Sequence, residues 1–523
     1  MPSSLSEIPI LIVGAGPTGL TLACDLARRQ VDFRLIDKAS TYFAGSRGKG
    51  LQPRSLEVLD DLGIVDRILS VGRFHLPFRA YDGTTILGDR DLHEGHHPTP
   101  AVPYASPLIV PQWRVEEALR QLLHTSGKQV ELATELVGIE QEENGVTATL
   151  QKEGGQATVR CQYLVAADGG RSFVRKFLHF GFAGETWQDA RLFVGDVRVD
   201  GLDRDHWHSW SQHPDGWLAL CPLPSTEAFQ FQAGIPPGFD EAPSPDNFQR
   251  IVNERTGRSD LRLYDPTWLS LYRVNIRMVD QYRQGRVFLA GDAAHVHPTT
   301  GGQGMNTGIQ DAYNLGWKLG LVLRGAPASL LDTYEEERLP VAASVLGIST
   351  RLSLEFRERG NQLSRDPETL QLGLQYRNSS LSPQPSGSPL SLQPGDRAPD
   401  APLLDPKGNR VRLFDLLRGP QFTLLILGVT DVAGRDRFSE RYREKVHLYA
   451  IRPEATSPEP WEARQSSLLF REEGGHLSQT YGVKERALVL IRPDGYIGWS
   501  GDEHSLLSAE RYLDSILGTA DTR

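Results

Sequence analysis

Near the N-terminus, Ile10-Leu11-Ile12-Val13-Gly14-Ala15-Gly16-Pro17-Thr18-Gly19-Leu20 restricts the fold more than any other stretch of the chain. Four apolar residues in a row suit a central parallel strand covered on both faces. Gly14, Gly16 and Gly19 then follow in G-x-G-x-x-G order. The first permits a tight turn, the second lets backbone approach a pyrophosphate, and the third lets the helix lie close to the strand. Leu20, Ala23 and Ala27 continue a small-residue helix face, and Val31 to Ile36 reads as a second strand ending at Asp37. That acid lies 18 residues beyond Gly19, where a carboxylate accepts hydrogen bonds from an adenosine ribose. Strand, helix, strand and acid in register predict an adenine dinucleotide site.

The 523 residues exceed what one hydrophobic core supports, so two or three domains are expected. A net charge of −10 argues against a nucleic-acid surface. No apolar run approaches the ~20 residues of a membrane span, and no basic, signal-like segment opens the chain. Cys24, Cys161 and Cys221 lie far apart and form no disulfide framework. A cytoplasmic protein is expected.

Further along, Tyr42 to Leu51 is a glycine loop carrying Arg47 and Lys49, suited to a phosphate neighbour. Ser55 to Leu69 has a helical apolar stripe, and residues 72–108 read as an excursion of loops. His93-Glu94-Gly95-His96-His97 matches H-E-x-x-H, but Gly95 and the following prolines deny it the helix a zinc site needs. A helix is expected from Val110 to about His124, and Tyr163 to Gly170 reads as a buried strand ending on Asp168-Gly169. In an open parallel sheet such an acid points into the cofactor crevice. From 190 to 275 the pattern becomes antiparallel-like, with Trp207, Trp210, Trp217, Phe229, Phe231 and Trp268 as candidate pocket or core residues. Arg286 to Ala290 returns to a strand delivering Gly291-Asp292, followed by a Pro/Gly loop and a helix from Thr307 to Leu323. His295 and His297 find no further ligand in that glycine-rich loop, so no metal is expected. Ser379 to Pro399 is a linker by composition, and the rest of the chain is long enough for its own domain.

These motifs together resemble the class A FAD-dependent aromatic hydroxylases, the para-hydroxybenzoate hydroxylase family. Gly14-x-Gly16-x-x-Gly19, Asp168-Gly169, Gly291-Asp292 and the Pro298-to-Asn306 loop match in order, and the likeness runs from the N-terminus to about residue 375. The length and tail resemble the larger phenol and polyketide hydroxylases, with Arg397 to Pro402 and Tyr481-Gly482-Val483 fitting their thioredoxin-like C-terminal domain. The resemblance implies an α/β fold of several parts. A Rossmann-like FAD-binding domain would span 1–178, with the excursion at 72–108, and return over 276–378. An antiparallel β-sheet substrate domain would occupy 179–275, a linker 379–396, and a thioredoxin-like domain 397–523. This tail has no cysteine, so dithiol chemistry is excluded and a packing or homodimer contact is expected. A chain stopped near residue 378 is expected to keep its flavin chemistry.

Carried over to this sequence, the resemblance implies that Gly14, Gly16, Pro17, Thr18 and Gly19 cradle the pyrophosphate of non-covalent FAD. Asp37, with Lys38 beside it, would meet the adenosine ribose. Arg47 and Gln112 would contact the pyrophosphate and ribityl region, backbone at Leu136 the adenine, and Asp168 the crevice. Gly291-Asp292 would reach a ribityl hydroxyl, and Pro298, Gly301, Gly302, Gly304, Met305 and Asn306 would edge the isoalloxazine. A helix starting near Gly304 also presents unpaired N–H groups, which stabilise negative charge on a reduced flavin. Without a second G-x-G-x-x-G, NADPH or NADH binds transiently. The implied chemistry is hydride transfer to FAD, O2 addition to a C4a-hydroperoxide and attack by a phenol. No base is identified among His206, His208, Tyr264 and Tyr272. A bulky polycyclic phenol is expected, because Arg191, Arg198, Arg204, Arg262, Arg273 and Arg277 are scattered rather than clustered for a small carboxylate. A halogenase reading fails for want of W-x-W-x-I-P. Baeyer–Villiger or antibiotic-inactivating oxygenation on the same scaffold, and a non-catalytic flavin-binding partner, stand as alternatives.

Overall fold

Strand Ser6–Val13 lies at the centre of the first sheet of the computed structural model, which describes residues 6–298, 301–359, 367–384, 390–428, 432–453, 469–483 and 486–518. It pairs in parallel with Phe33–Ile36 on one side and Gly155–Ala166 on the other. Val287–Leu289 extends the sheet in parallel, and the hairpin Glu135–Glu142/Gly145–Lys152 adds antiparallel cover. Residues Ile10 to Ile12 have no exposed surface, as expected of a strand covered on both faces. Helix Pro17–Arg28 starts with proline in its first turn, where a missing N–H costs nothing. It lies so close to helix Gly304–Val322 that a Cβ on Gly308 would sit 2.3 Å from Thr18 Oγ1, and one on Gly316 would sit 2.2 Å from Asp25 Oδ2. No helix among the described residues is long and apolar enough to cross a membrane.

The second sheet runs in the order His295–Val296, Arg262–Met278, Ala183–Asp200, Ala228–Ile235, Leu218–Pro222, Trp207–Trp210, Phe78–Asp82, Thr85–Arg90. It is antiparallel except where Trp207–Trp210 meets Phe78–Asp82. The excursion at 72–108 is therefore not all loop. Its hairpin Phe78–Asp82/Thr85–Arg90 completes this sheet. Thr85–Arg90 is exposed along its whole length, and an edge strand that buries neither face carries no apolar alternation to read. At the opposite edge, His295 pairs with Met278 and Val296 with Arg277. The chain leaving Gly291-Asp292 thus fastens the second sheet directly to the first.

The C-terminal part is thioredoxin-like. Phe422–Leu427, Val446–Arg452 and Leu469–Glu472 run parallel, and Ala487–Ile491 and Ile497–Gly501 follow antiparallel. It docks through a fully buried charge cluster. Glu337, on helix Asp332–Arg359, accepts from Arg492 NH1 at 2.5 Å, Arg492 NH2 at 3.0 Å and Lys318 Nζ at 2.7 Å. Burial works to raise the Glu337 pKa, but Arg492 and Lys318 outweigh it and hold the carboxyl well below the usual range. Asp494 binds Arg492 and accepts from Trp317 Nε1 at 3.1 Å. Trp317 also meets Phe422 edge-on, with centroids 5.8 Å apart. Within the Ser/Pro-rich stretch, Ser379 Oγ donates to Glu337 at 2.8 Å, and Leu381 O accepts from Tyr512 at 2.9 Å. Residues 385–389 lie outside the described residues.

This packing revises the expected independence of a chain ended near residue 378, since losing Arg492 leaves Glu337 and Lys318 at a newly exposed apolar face around Trp317. Arg492→Met tests it within the full chain. Breaking one partner out of a buried pair costs about 3–5 kcal/mol, so urea unfolding should show a loss of that order. A change below about 1 kcal/mol would show that the cluster does not hold the tail in place.

Candidate active site

Because the central strands run parallel, their carboxyl ends deliver Gly14, Asp37, Ala167-Asp168 and Gly291-Asp292 to one edge of the sheet, where doubly wound folds bind ligands. A Cβ on Gly14 would sit 2.3 Å from Ala167 O, and one on Gly19 would sit 1.9 Å from Gly14 O. These two glycines are required by packing. A Cβ on Gly16 would have nothing within 4 Å, so Gly16 faces open space at the start of the helix begun by Pro17 and Thr18. That helix has no side-chain cap, and its amides face the groove as a ready anion site. Asp37 Oδ2 accepts from Ala15 N–H at 2.8 Å, and Oδ1 accepts from Ala39 N–H at 2.9 Å. Its carboxylate is thus oriented by the glycine turn itself. Lys38 beside it is exposed. The Leu136 side chain is buried in the core, and the chain just before it is tied to the Asp37 turn by Thr134 N–H donating to Asp37 O at 2.9 Å.

Arg47 and Gln112 are brought together. Gly48 N–H donates to Gln112 Oε1 at 3.0 Å, Gln112 N–H donates to Gly48 O at 2.9 Å, and the Arg47 guanidinium lies 4.4 Å over the Phe43 ring. Asp168 divides its oxygens. Oδ2 caps the helix Phe173–Phe177, accepting from Phe173 N–H at 2.7 Å, whereas Oδ1 has no hydrogen-bond partner among the described residues. Burial raises its pKa, and the Ser172 hydroxyl and the capping amides pull against that.

Gly291 takes φ +60°, and a Cβ there would sit 2.5 Å from Thr18 Oγ1. It thereby links the first and third motifs. Its N–H donates to Asp311 Oδ2 at 3.0 Å, and His295 Nε2 reaches the same oxygen at 2.8 Å. Asp292 keeps accessible surface although protein surrounds it. Desolvation raises its pKa, against the pull of His295 and Arg47. A carboxylate both accessible and desolvated lines a deep groove. Pro298 is buried, and residues 299–300 lie outside the described residues. Gly301 O accepts from Gln52 Nε2 at 2.9 Å. Asn306 clamps two loops, donating to Gly50 O at 3.0 Å and Gly302 O at 2.7 Å and accepting from Gln52 N–H at 2.7 Å. Met305 lies beside Gly48. The helix starting at Gly304 is also uncapped by any side chain. Two uncapped helix starts, an open glycine position and a groove-lining acid fit a dinucleotide bearing an electron-accepting ring.

The second sheet sorts the candidate aromatics by face. Trp210, Phe229 and Phe231 belong to the core under helix Pro245–Thr256. Trp217 and Trp268 pack on the opposite face with Leu192, Val194, Val274 and Tyr272. That second face meets the groove. Ser46 N–H donates to Asp196 at 2.7 Å, and Tyr272 OH donates to His297 O at 3.1 Å. His206 and His208 are engaged with Asp203 and Tyr81 near the hairpin edge, and Tyr264 with Asp200. Of the four base candidates, Tyr272 alone contacts the 297–306 segment by a hydrogen bond among those described. The scattered arginines stay apart, with Arg191 on Pro236 O, Arg204 on Thr226 O and Arg277 on Phe182 O. Sequence reasoning missed Gln52, Asp196, Gln230 and Asp311. Asp311 carried one signal, an acid within an otherwise apolar helical pattern.

This fold and groove define an FAD-binding oxidoreductase of the monooxygenase type. An FAD binding domain model matches residues 7–349, and an aromatic-ring hydroxylase C-terminal model matches 391–520. A flavin-dependent monooxygenase of Mycobacteroides abscessus is 46% identical over 94% of this chain and 96% of its own. The 6-methylpretetramide 4-monooxygenase of Streptomyces rimosus is 33% identical, covering 99% and 95%. Aklavinone-11 hydroxylase, solved with FAD and aklavinone, superposes with a TM-score of 0.81 at 28% identity, covering 98% and 99%. The chain belongs to the class A flavin-dependent aromatic hydroxylases, and its cofactor is FAD.

His297 yields a pH prediction. Burial, then the charge of His295, lowers its pKa from 6.5 to about 4, against a hydrogen bond to Pro298 O. Between those values the unfolded chain binds the proton and the folded one does not, so this residue's contribution to stability falls as pH drops from 6.5 to 4. The full effect is about 3 kcal/mol. Urea unfolding of wild type and His297→Gln at saturating FAD should diverge across that window, with the variant falling less steeply. Parallel curves would show that His297 is not the group responsible.

Proposed function

We propose that this monooxygenase uses NAD(P)H and O2 to hydroxylate a polycyclic phenolic substrate lying on the Trp217–Trp268–Tyr272 face of the second sheet. The observation that carries this reading is that the aromatic face is hydrogen-bonded, through Asp196 and Tyr272, to the two loops bordering the dinucleotide groove. Relatives named for 6-methylpretetramide and aklavinone support a polyketide-type aromatic. The dispersed arginines support a substrate without a small carboxylate to clamp.

In this reading Gly14, Gly16, Pro17, Thr18 and Gly19 hold the FAD pyrophosphate, with Arg47, Gln112 and Asp168 bordering it. Asp37 and Lys38 take the adenosine ribose, and backbone at Leu136 takes the adenine. Gly291-Asp292 takes the ribityl chain, and Pro298, Gly301, Gly302, Gly304, Met305 and Asn306 take the isoalloxazine edge. FAD, when bound, supplies two-electron reduction of O2 and one oxygen atom for the ring. The protein's part is to orient the phenol, exclude water and hold negative charge at the Gly304 helix start.

Gly16→Ala separates cofactor contact from folding. Its Cβ meets no protein atom, so the apo-protein should unfold like wild type, while FAD affinity should fall at least about ten-fold through collision with the pyrophosphate. Asp292→Ala should cost roughly ten- to a hundred-fold in FAD affinity, the worth of a charged hydrogen bond. Unchanged flavin affinity in both variants would overturn the placement.

The reaction is tested by NAD(P)H oxidation under labelled O2 with para-hydroxybenzoate, an alkylphenol and a hydroxyanthraquinone. One labelled oxygen atom should enter the polycycle. Incorporation into the small acid alone would reject the polycyclic substrate and retain the hydroxylase.

A further inference from the structure

Resting on that substrate face, we propose that Lys49 and Asp196 form its polar end and select an acidic phenol or enol, one ionised oxygen beside a neighbouring hydroxyl. Strand register fixes the geometry. Asp196 pairs with Gln230 on one side and Trp268 on the other. Alternation then puts Asp196 on the same face as Leu192 and Val194, the face carrying Trp217, Trp268 and Tyr272. Onto this face the loop at 45–49 is pinned by its backbone. Ser46 N–H donates to Asp196 Oδ2 at 2.7 Å, and Ser46 O accepts from the Gln230 amide nitrogen. With its nitrogen so engaged, the Gln230 amide turns its oxygen to the Lys49 ammonium, which also lies 4.4 Å over the Trp207 ring. The ammonium is therefore held in place by a neutral amide and a ring.

Asp196 supplies the second point. It is 2% exposed, yet Oδ1 has no hydrogen-bond partner among the described residues. The Trp268 indole lies beside it and lowers its pKa without meeting hydrogen-bond geometry. A buried carboxylate oxygen left open beside a held ammonium is costly to keep in a folded protein. An ionised oxygen on Lys49, with a hydroxyl one ring position away on Asp196 Oδ1, satisfies both at once.

The probe is alizarin, a fused-ring dye with two neighbouring hydroxyls that changes colour on ionisation, compared with its 2-O-methyl ether. Both are titrated into oxidised holoenzyme, with FAD content measured in every variant. Wild type should bind alizarin at least about ten-fold more tightly than the ether and show the band of the ionised dye. Lys49→Met should lose roughly ten- to a hundred-fold for alizarin and little for the ether, and Lys49→Arg should restore most of it. Wild type showing no preference for alizarin, including binding neither compound, would overturn the proposal. So would equal losses for both ligands in Lys49→Met at full FAD content. If the preference holds but no phenol in the labelled-O2 panel gains oxygen, the site stands and the proposed reaction fails.

Discussion

Asp311 is the carboxylate on which the arrangement of the groove depends. It has no exposed surface and receives three partners, Gly291 N–H at 3.0 Å, His295 Nε2 at 2.8 Å and Arg338 Nε at 2.7 Å. Burial alone would push its pKa up, but Arg338 and His295 outweigh that and keep it charged. A charge in the interior is tolerable only when paired and hydrogen-bonded, so each partner must stay where it is. The Gly291-Asp292 turn is held by the same interaction that anchors the helix bearing Arg338. Arg338 further donates to Thr307 O at 3.2 Å and to Tyr376 OH at 2.9 Å. The next residue back along the helix, Glu337, carries the buried contact to Arg492 of the thioredoxin-like tail. Neighbouring residues on one helix thus point in two directions, one toward the flavin turn and one toward the tail. A tail without cysteines still has a physical task, which is to cover Trp317 and complete the charge cluster around Glu337.

The second sheet serves two cores at once. Its lower face, with Phe193, Phe231 and Phe248 packed ring on ring, is plain interior, with Phe231 and Phe248 centroids 4.1 Å apart. Its other face mixes Trp217, Trp268 and Tyr272 with Asp196 and Gln230. Mixed character on a buried face raises the energetic stakes, because every polar group there needs a partner. The loop from Gly45 to Gln52 supplies several of them, and in doing so it joins the sheet to the groove.

Much of the frame was legible because it rests on local rules. An apolar run, a glycine turn, a helix and an acid in register specify a parallel unit whatever surrounds them. The Gly291-Asp292 strand end and the start of the helix at Gly304 could be read in the same way. The hairpin at 78–90 could not, because it is stabilised by strand pairing and not by an apolar period. The pocket aromatics could not be sorted either, since both faces of a doubly covered sheet carry the same residue types. Lys49 stood in a loop marked only as glycine-rich and basic, and its partners Gln230 and Asp196 lie 181 and 147 residues away in the chain.

By itself, the sequence determined that this chain binds an adenine dinucleotide at the carboxyl end of a parallel sheet. Backbone clearance at Gly14 and Gly19, and the position of Asp37, are short-range requirements that only certain residues at certain spacings meet. Tertiary structure alone decided which face of the second sheet meets that groove, which buried acids are paired, and how the tail is held. Those outcomes depend on desolvation and on contacts between residues far apart in the chain, and such contacts exist only once the layers have packed.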